Sequence, residues 1–108
     1  MQMREFIKGL EFLSTIDKDM QLSTALTLLY AAEREGQHQN DIEERTGMSN
    51  AAISRNVSYW SKWKRHKVAG HNMMESLIDP QDRRYRLLML TNKGTAFIKR
   101  LKEQIHGR

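Results

Sequence analysis

The sequence predicts a mainly α (α+β) fold, a winged helix-turn-helix of about five helices with a two-stranded β-hairpin wing, and three features carry that prediction. The first is a pair of short apolar-periodic segments separated by Gly47-Met48-Ser49, the layout of two helices joined by a tight turn. The second is Asp79-Pro80-Gln81-Asp82-Arg83-Arg84, a charged turn between two β-permissive runs, Ser76–Ile78 and Tyr85–Leu90. The third is the distribution of charge. Residues 1–44 hold nine acids against four bases, residues 45–108 hold four acids against fourteen bases, and residues 45–74 carry six Lys or Arg and no carboxylate.

Taken in order, the elements follow from local spacing. Met3, Phe6, Ile7, Leu10, Leu13 and Ile16 recur every three or four residues, which predicts a helix over 3–16 with one apolar face. A second helix is predicted over 23–34, with Leu22, Ala25, Leu26, Leu29 and Ala32 facing inward and Gly36 ending it. The third covers about 40–45 and stops at Gly47, which suits positive φ. The fourth starts at Ser49, whose hydroxyl can cap the free amides of its first turn. Ile42, Met48, Ile53 and Val57 form the small core between these two, and Ala51 and Ala52 permit close approach. After the hairpin, Thr91 caps a last helix in which Ala96 or Phe97, Ile98, Leu101 and Ile105 form the apolar stripe.

A chain of 108 residues has room for one modest core, so residues 1–108 are expected to form a single domain. There is no cysteine, hence no disulfide framework or thiolate metal site. No apolar run approaches the roughly 20 residues of a membrane span, and the N-terminus lacks the pattern of a signal peptide, so a cytoplasmic, nucleoid-associated location is expected. His38, His66, His71 and His106 are scattered without metal-ligand spacing, and no Ser-His-Asp set, zinc cluster or glycine-rich phosphate loop is present. Neither catalysis nor a cofactor nor a metal is expected.

The net charge of +5, concentrated after residue 45, favours a polyanion. A helix fits the major groove of double-stranded DNA, and its N-terminal residues face base edges. The candidates for that contact are Ser49, Asn50, Ala51, Ser54, Arg55 and Asn56. Arginine can hold guanine through two hydrogen bonds, asparagine can pair with adenine, and alanine can touch a thymine methyl. Arg45, Lys62, Lys64 and Arg65 are candidates for phosphate contact, which releases counterions and makes binding salt-dependent. Trp60 and Trp63 admit two readings, stacking on exposed bases or serving as core or interface residues.

The turn Asp79–Arg84 followed by Leu90-Thr91-Asn92-Lys93-Gly94, with Gly47-Met48-Ser49 and Ser54-Arg55 upstream, resembles the MarR family of bacterial winged-helix transcriptional regulators. The resemblance covers about residues 22–101. It implies a wing whose tip arginine, Arg84 or Arg83, enters the minor groove, where narrowing concentrates negative potential, with Asp79 or Asp82 steadying it. It also implies a homodimer paired through its terminal helices, 1–17 and 92–106; the apolar residues Phe6, Ile7, Leu10, Leu13, Phe97, Ile98, Leu101 and Ile105 are the interface candidates, the alternative being that both helices complete a monomer core. Three departures stand out. Glu43 occupies a position usually held by a small residue, so its carboxylate must reach solvent or a base. The stretch 55–79 is long, so either the reading helix runs on through Trp60 and Trp63 or residues 64–72 form an extra loop. The C-terminal helix ends early, so no small-molecule effector is expected.

These expectations converge on a sequence-specific DNA-binding regulator, a repressor acting as a dimer on a pseudo-palindromic site. The alternatives are a winged-helix replication or DNA-packaging accessory, or a protein-docking module of the transcription machinery.

Overall fold

The structure is a computed structural model that describes residues 1–107. Its elements in chain order are α1 (Met3–Ser14), α2 (Leu22–Glu33), β1 (Gln37–His38), α3 (Gln39–Thr46), α4 (Asn50–Trp60), β2 (Trp63–Arg65), β3 (Val68–Ala69), β4 (Met74–Ile78), β5 (Arg86–Leu90) and α5 (Asn92–Ile105). Five helices thus surround a three-stranded antiparallel sheet of order β1-β5-β4, with β2 and β3 forming a separate two-stranded ribbon. No helix among the described residues is long and apolar enough to cross a membrane.

The helix boundaries obey local rules. Ser49 Oγ accepts from the Ala52 amide at 3.1 Å and opens α4; Thr91 Oγ1 accepts from the Gly94 amide at 3.0 Å and opens α5. Gly47 ends α3 in the left-handed region, at φ 74°. Gly94 answers a different need, because a Cβ there would lie 1.9 Å from the Met73 carbonyl oxygen. That same carbonyl accepts from the Thr91 amide, while the Met73 amide donates to Trp60 O at 2.7 Å. Met73 therefore ties the end of α4 to the start of α5.

Leu28, Ile42, Ile53, Trp60, Met74 and Leu88 are fully buried and bring α2, α3, α4 and the sheet onto one core. Two faces differ from the sequence pattern. In α2 the buried residues are Thr24, Ala25, Thr27, Leu28 and Ala31, whereas Leu22 is exposed, because the two threonines meet a polar partner on α4. In α1 the side turned to α5 is Gly9, Phe12 and Leu13. Phe12 stacks on Phe97 at 5.0 Å, and a Cβ at Gly9 would touch Ile105 at 3.0 Å.

The expected dimer surface must be corrected accordingly. Leu13, Phe97, Ile98 and Leu101 are buried within the chain itself, and Ile105 is half-buried against the same core. Phe6, Ile7 and Leu10, with Met3, stay on the outer side of α1 and are exposed.

The long stretch after Arg55 is neither a continued helix nor a plain loop. Helix α4 stops at Trp60, and the chain turns back as the β2–β3 ribbon, paired Trp63 to Ala69 and Arg65 to Val68. Its turn places Lys67 at φ 59°, a left-handed conformation that a non-glycine residue seldom adopts.

Candidate nucleic-acid interface

Helix α4 has two faces of opposite character. Inward, Ile53, Val57 and Trp60 are buried, and Trp60 Nε1 donates to Thr24 O at 2.8 Å. The core reading of Trp60 therefore applies. Asn56 lies on this inward side, 7% exposed, and is not free to meet a base. Its Oδ1 accepts from Thr24 Oγ1 at 2.9 Å, and its Nδ2 reaches Ser23 O at 3.2 Å and Thr27 Oγ1 at 3.1 Å. A buried amide so fully partnered recovers in hydrogen bonds what it gives up in hydration, and it fixes the helix in register on α2. The spacing 53-56-57-60 puts Asn56 on the apolar stripe, and Thr24 and Thr27 three apart are the matching signal.

Outward, Ala51, Ser54 and Arg55 are exposed. Ser49 is exposed too, with its hydroxyl committed to the cap. Asn50 Nδ2 donates to Glu43 Oε2 at 3.0 Å, so the Glu43 carboxylate, expected to reach solvent or a base, has a partner on α4. Gln39 Nε2 donates to Ser54 Oγ at 3.2 Å from the start of α3.

Beside α4 rises the β4–β5 hairpin, paired in register from Met74 and Leu90 to Ile78 and Arg86. Its tip is built from two aspartates that accept backbone amides, Asp79 Oδ1 from Gln81 at 2.9 Å and Asp82 Oδ1 from Arg84 at 3.1 Å. Asp82 also holds the Arg84 guanidinium with both oxygens, Nε at 3.0 Å and Nη2 at 2.7 Å. The hydrogen bonds with Arg84 hold the Asp82 carboxyl below its ordinary range, and Asp82 in turn raises the Arg84 guanidinium. Arg83 is exposed. Of the two aspartates, then, Asp82 pairs with the arginine, whereas Asp79 turns to His38, whose Nε2 lies 2.8 Å from Asp79 Oδ2. The His38 ring stacks on Tyr85 at 4.7 Å. The Gln81 amide first, and the His38 hydrogen bond second, lower the Asp79 carboxyl. β1 thereby buttresses the turn end of the hairpin.

This geometry agrees with known structures. Against protein-family models and curated protein sequences the chain has no match. Among solved structures it is similar to the PcaV transcriptional regulator of Streptomyces coelicolor in complex with its natural ligand, at 25% identity over 82% of this chain (TM-score 0.64). It is similar to MepR of S. aureus in complex with DNA, at 20% identity over 93% of this chain and 74% of that one (TM-score 0.73). A MarR-family regulator from a Rhodococcus species matches at 17% identity over 95% of this chain and 66% of that one (TM-score 0.67). The chain folds as a MarR-type winged helix-turn-helix. It spans 57% of the length of PcaV.

Within this MarR-type fold, α3 and α4 are the helix-turn-helix and β4–β5 is the wing. A concavity lined by Gln39, Ser54, Ser58, Trp63, Ser76 and Arg86 separates α4 from the wing. Arg86, exposed on β5, is a cation on this face that sequence reasoning misses; its place directly after the turn, on a strand pairing with β4, is the available signal. Arg45, a candidate for phosphate contact, is exposed and engaged within the chain: its guanidinium pairs with Glu33 Oε1 at 3.2 Å, donates to Gln37 Oε1 and lies over the Tyr30 ring at 4.9 Å. Lys62, Lys64 and Arg65 are exposed, at and beyond the C-terminal end of α4. The structure brings Ser54, the wing strand and Trp63 together and moves Asn56 away from them.

Proposed function

We propose that the chain is a non-enzymatic, sequence-specific double-stranded DNA-binding transcriptional regulator, a repressor acting as a homodimer on a pseudo-palindromic site. The observation that carries this reading is the anchoring of α4. Asn56 and Trp60 lock the helix onto α2, so Ala51, Ser54 and Arg55 stand on a fixed platform beside a wing whose Arg84 is pre-set by Asp82. Groove recognition asks for such a rigid array of donors and one apolar contact. The DNA bound to MepR supports the polyanion chosen. Arg55 reads a base edge in the major groove, and Arg84 with Arg83 enters the minor groove.

The outer side of α1 supports the dimer. Met3, Phe6, Ile7 and Leu10 form a contiguous exposed apolar stripe, and a second copy of the same helix across a two-fold axis would cover it. Two reading helices would then meet successive major grooves about 34 Å apart.

The test is selection of binding sites from a random duplex pool, followed by competition of the selected site against bulk DNA. Arg55→Ala is expected to weaken the selected site by about tenfold or more and to relax one base position, as removal of a bidentate pair does. Arg84→Ala is expected to weaken binding without erasing the major-groove preference. Leu10→Glu is expected to yield a monomer in sedimentation. Selection that enriches no sequence, or variants that bind as tightly as the wild type, would overturn the assignment.

A further inference from the structure

The β2–β3 ribbon is a second basic projection that the reading helix and wing do not account for. Lys62, Lys64, Arg65, His66 and Lys67 are all exposed, and none of the four Lys and Arg forms an ion pair among the described residues. The ribbon is firmly attached. Gly70 N donates to Lys62 O at 3.0 Å, His71 N to Tyr59 O at 3.2 Å and Asn72 N to Ser61 O at 3.1 Å, so the segment that follows β3 is bonded to the end of α4 and the residues just after it. A Cβ at Gly70 would lie 2.1 Å from Ser61 O, which reserves that position for glycine. Beneath it, the His71 ring packs on Tyr59 at 4.7 Å and on Trp60 at 5.7 Å. Tyr59 in turn donates to Asp17 at 3.1 Å, and burial together with that carboxylate pushes its hydroxyl up to about 12.

Trp63 opens this ribbon and is 57% exposed, whereas Trp60, three residues earlier, is fully buried. The indole lines the same concavity as Ser54, Ser58, Ser76 and Arg86, on the wall shared by the reading helix and the wing. An exposed indole among unpaired cations, within a thirty-residue span free of carboxylates, fits a polyanion that also presents apolar surface. The sugar-phosphate backbone of a duplex does so, through its deoxyribose faces and phosphates.

We propose that β2–β3 is a second basic wing, in which Trp63 packs on deoxyribose at the border of the major groove entered by α4 while Lys62, Arg65 and Lys67 neutralise the phosphates beyond it. The proposal rests on the reading of α4 as the groove helix. It extends the contacted backbone beyond the C-terminal end of α4. Lys64 has a different place, 5.7 Å from the Tyr59 ring, and belongs to the base of the ribbon.

The two tryptophans supply the test, because a neutral quencher reaches Trp63 and not Trp60. Acrylamide quenching of the wild type is assigned to Trp63 by its loss in Trp63→Phe, then repeated with a saturating random-sequence duplex. Quenching is expected to fall on duplex binding. The triple variant Lys62→Gln, Arg65→Gln, Lys67→Gln is expected to flatten the dependence of log affinity on log salt by about 0.9 for each phosphate it no longer neutralises. Unchanged quenching, or an unchanged slope in the triple variant, overturns the second wing, and if Arg55→Ala or Arg84→Ala still weakens binding the groove reading survives it. Tighter protection of Trp63 by single-stranded DNA than by duplex also overturns the proposal. No duplex binding by the wild type removes both.

Discussion

In the β4–β5 wing the tip arginine is gripped by Asp82 through two side-chain hydrogen bonds and the turn is braced by His38, whereas the β2–β3 ribbon carries cations without carboxylate partners and is braced through its backbone. The wing belongs to the sheet of the main core, paired with β1 and packed through Leu88; the ribbon hangs from the end of α4. A cation with a fixed direction can enter one narrow groove at one register. Cations on free stems can follow a phosphate backbone wherever the groove helix has set it. On the proposed reading the chain separates positioning from charge neutralisation in two hairpins, and each should fail in its own way.

The largest difference should appear at two glycines. Alanine is normally the better helix former by about 1 kcal/mol, but at Gly94 its Cβ would meet the Met73 carbonyl at 1.9 Å. That carbonyl also receives the Thr91 amide, so nothing there can yield without parting α5 from α4. Gly94→Ala is expected to cost about 3 kcal/mol or more in chemical denaturation, as severe overpacking does. Gly70→Ala meets Ser61 O at 2.1 Å, an equally forbidden approach, yet the ribbon can swing away by giving up its few backbone bonds. It should cost less and disturb amide resonances only around 59–72. Equal destabilisation, with disturbance spread through the sheet, would make the ribbon part of the core and end the contrast.

Acid should separate the hairpins next. His71, at the base of the ribbon, is lowered from its ordinary value chiefly by burial, then by Lys93 and Lys64, with Asp17 opposing. A histidine lowered in the folded state favours its neutral form. Its contribution is complete above about pH 6.5 and is lost as pH falls through its lower folded value. Asp79 and Asp82 are also lowered, but as carboxylates. Their contribution is complete above about pH 3.9 and is lost only below that, on descent through their folded values. Protection of Val68 and Ala69 against hydrogen exchange, taken relative to the intrinsic amide rate at each pH, is therefore expected to fall on mild acidification while that of Leu77 and Leu87 holds, and His71→Phe should remove that response. Wing amides loosening first would reverse the assignment.

The same contrast decides what can be read in the sequence. The helix-turn-helix and the wing are written in local signals: Gly47 in the left-handed region, Ser49 and Thr91 as caps, and Pro80 among aspartates that bond their own turn. The ribbon has none of these. Its strands are short, its side chains basic without alternation, and its turn uses Lys67 where a glycine or asparagine would have announced it. β1 is two residues long and exists only through its pairing with β5. Asn56 is misread from sequence because its partners Thr24 and Thr27 lie about thirty residues away, and a polar side chain on an apolar stripe reads as surface until they are seen. On α1 the apolar pattern is legible but its division is not. Gly9 and the Phe12–Phe97 stack turn one edge of the helix to α5 and leave Phe6 and Leu10 outside.

The smallest effect on stability, and the sharpest on selectivity, is expected at Asp82. Its pair with Arg84 is exposed, and such pairs contribute at most about 1 kcal/mol. Asp82→Asn should therefore leave the melting temperature nearly unchanged. It removes a negative charge from the wing tip and releases the guanidinium, leaving the turn amide available to the asparagine oxygen. Affinity for bulk duplex should rise, because one repulsion with phosphate is gone, while the preference for a selected site should fall, because Arg84 no longer enters the groove from one fixed direction. The wing would then behave as the ribbon does, by charge alone. A variant that binds both bulk and selected DNA more tightly, with its selectivity intact, would show that the ion pair restrains the arginine without aiming it.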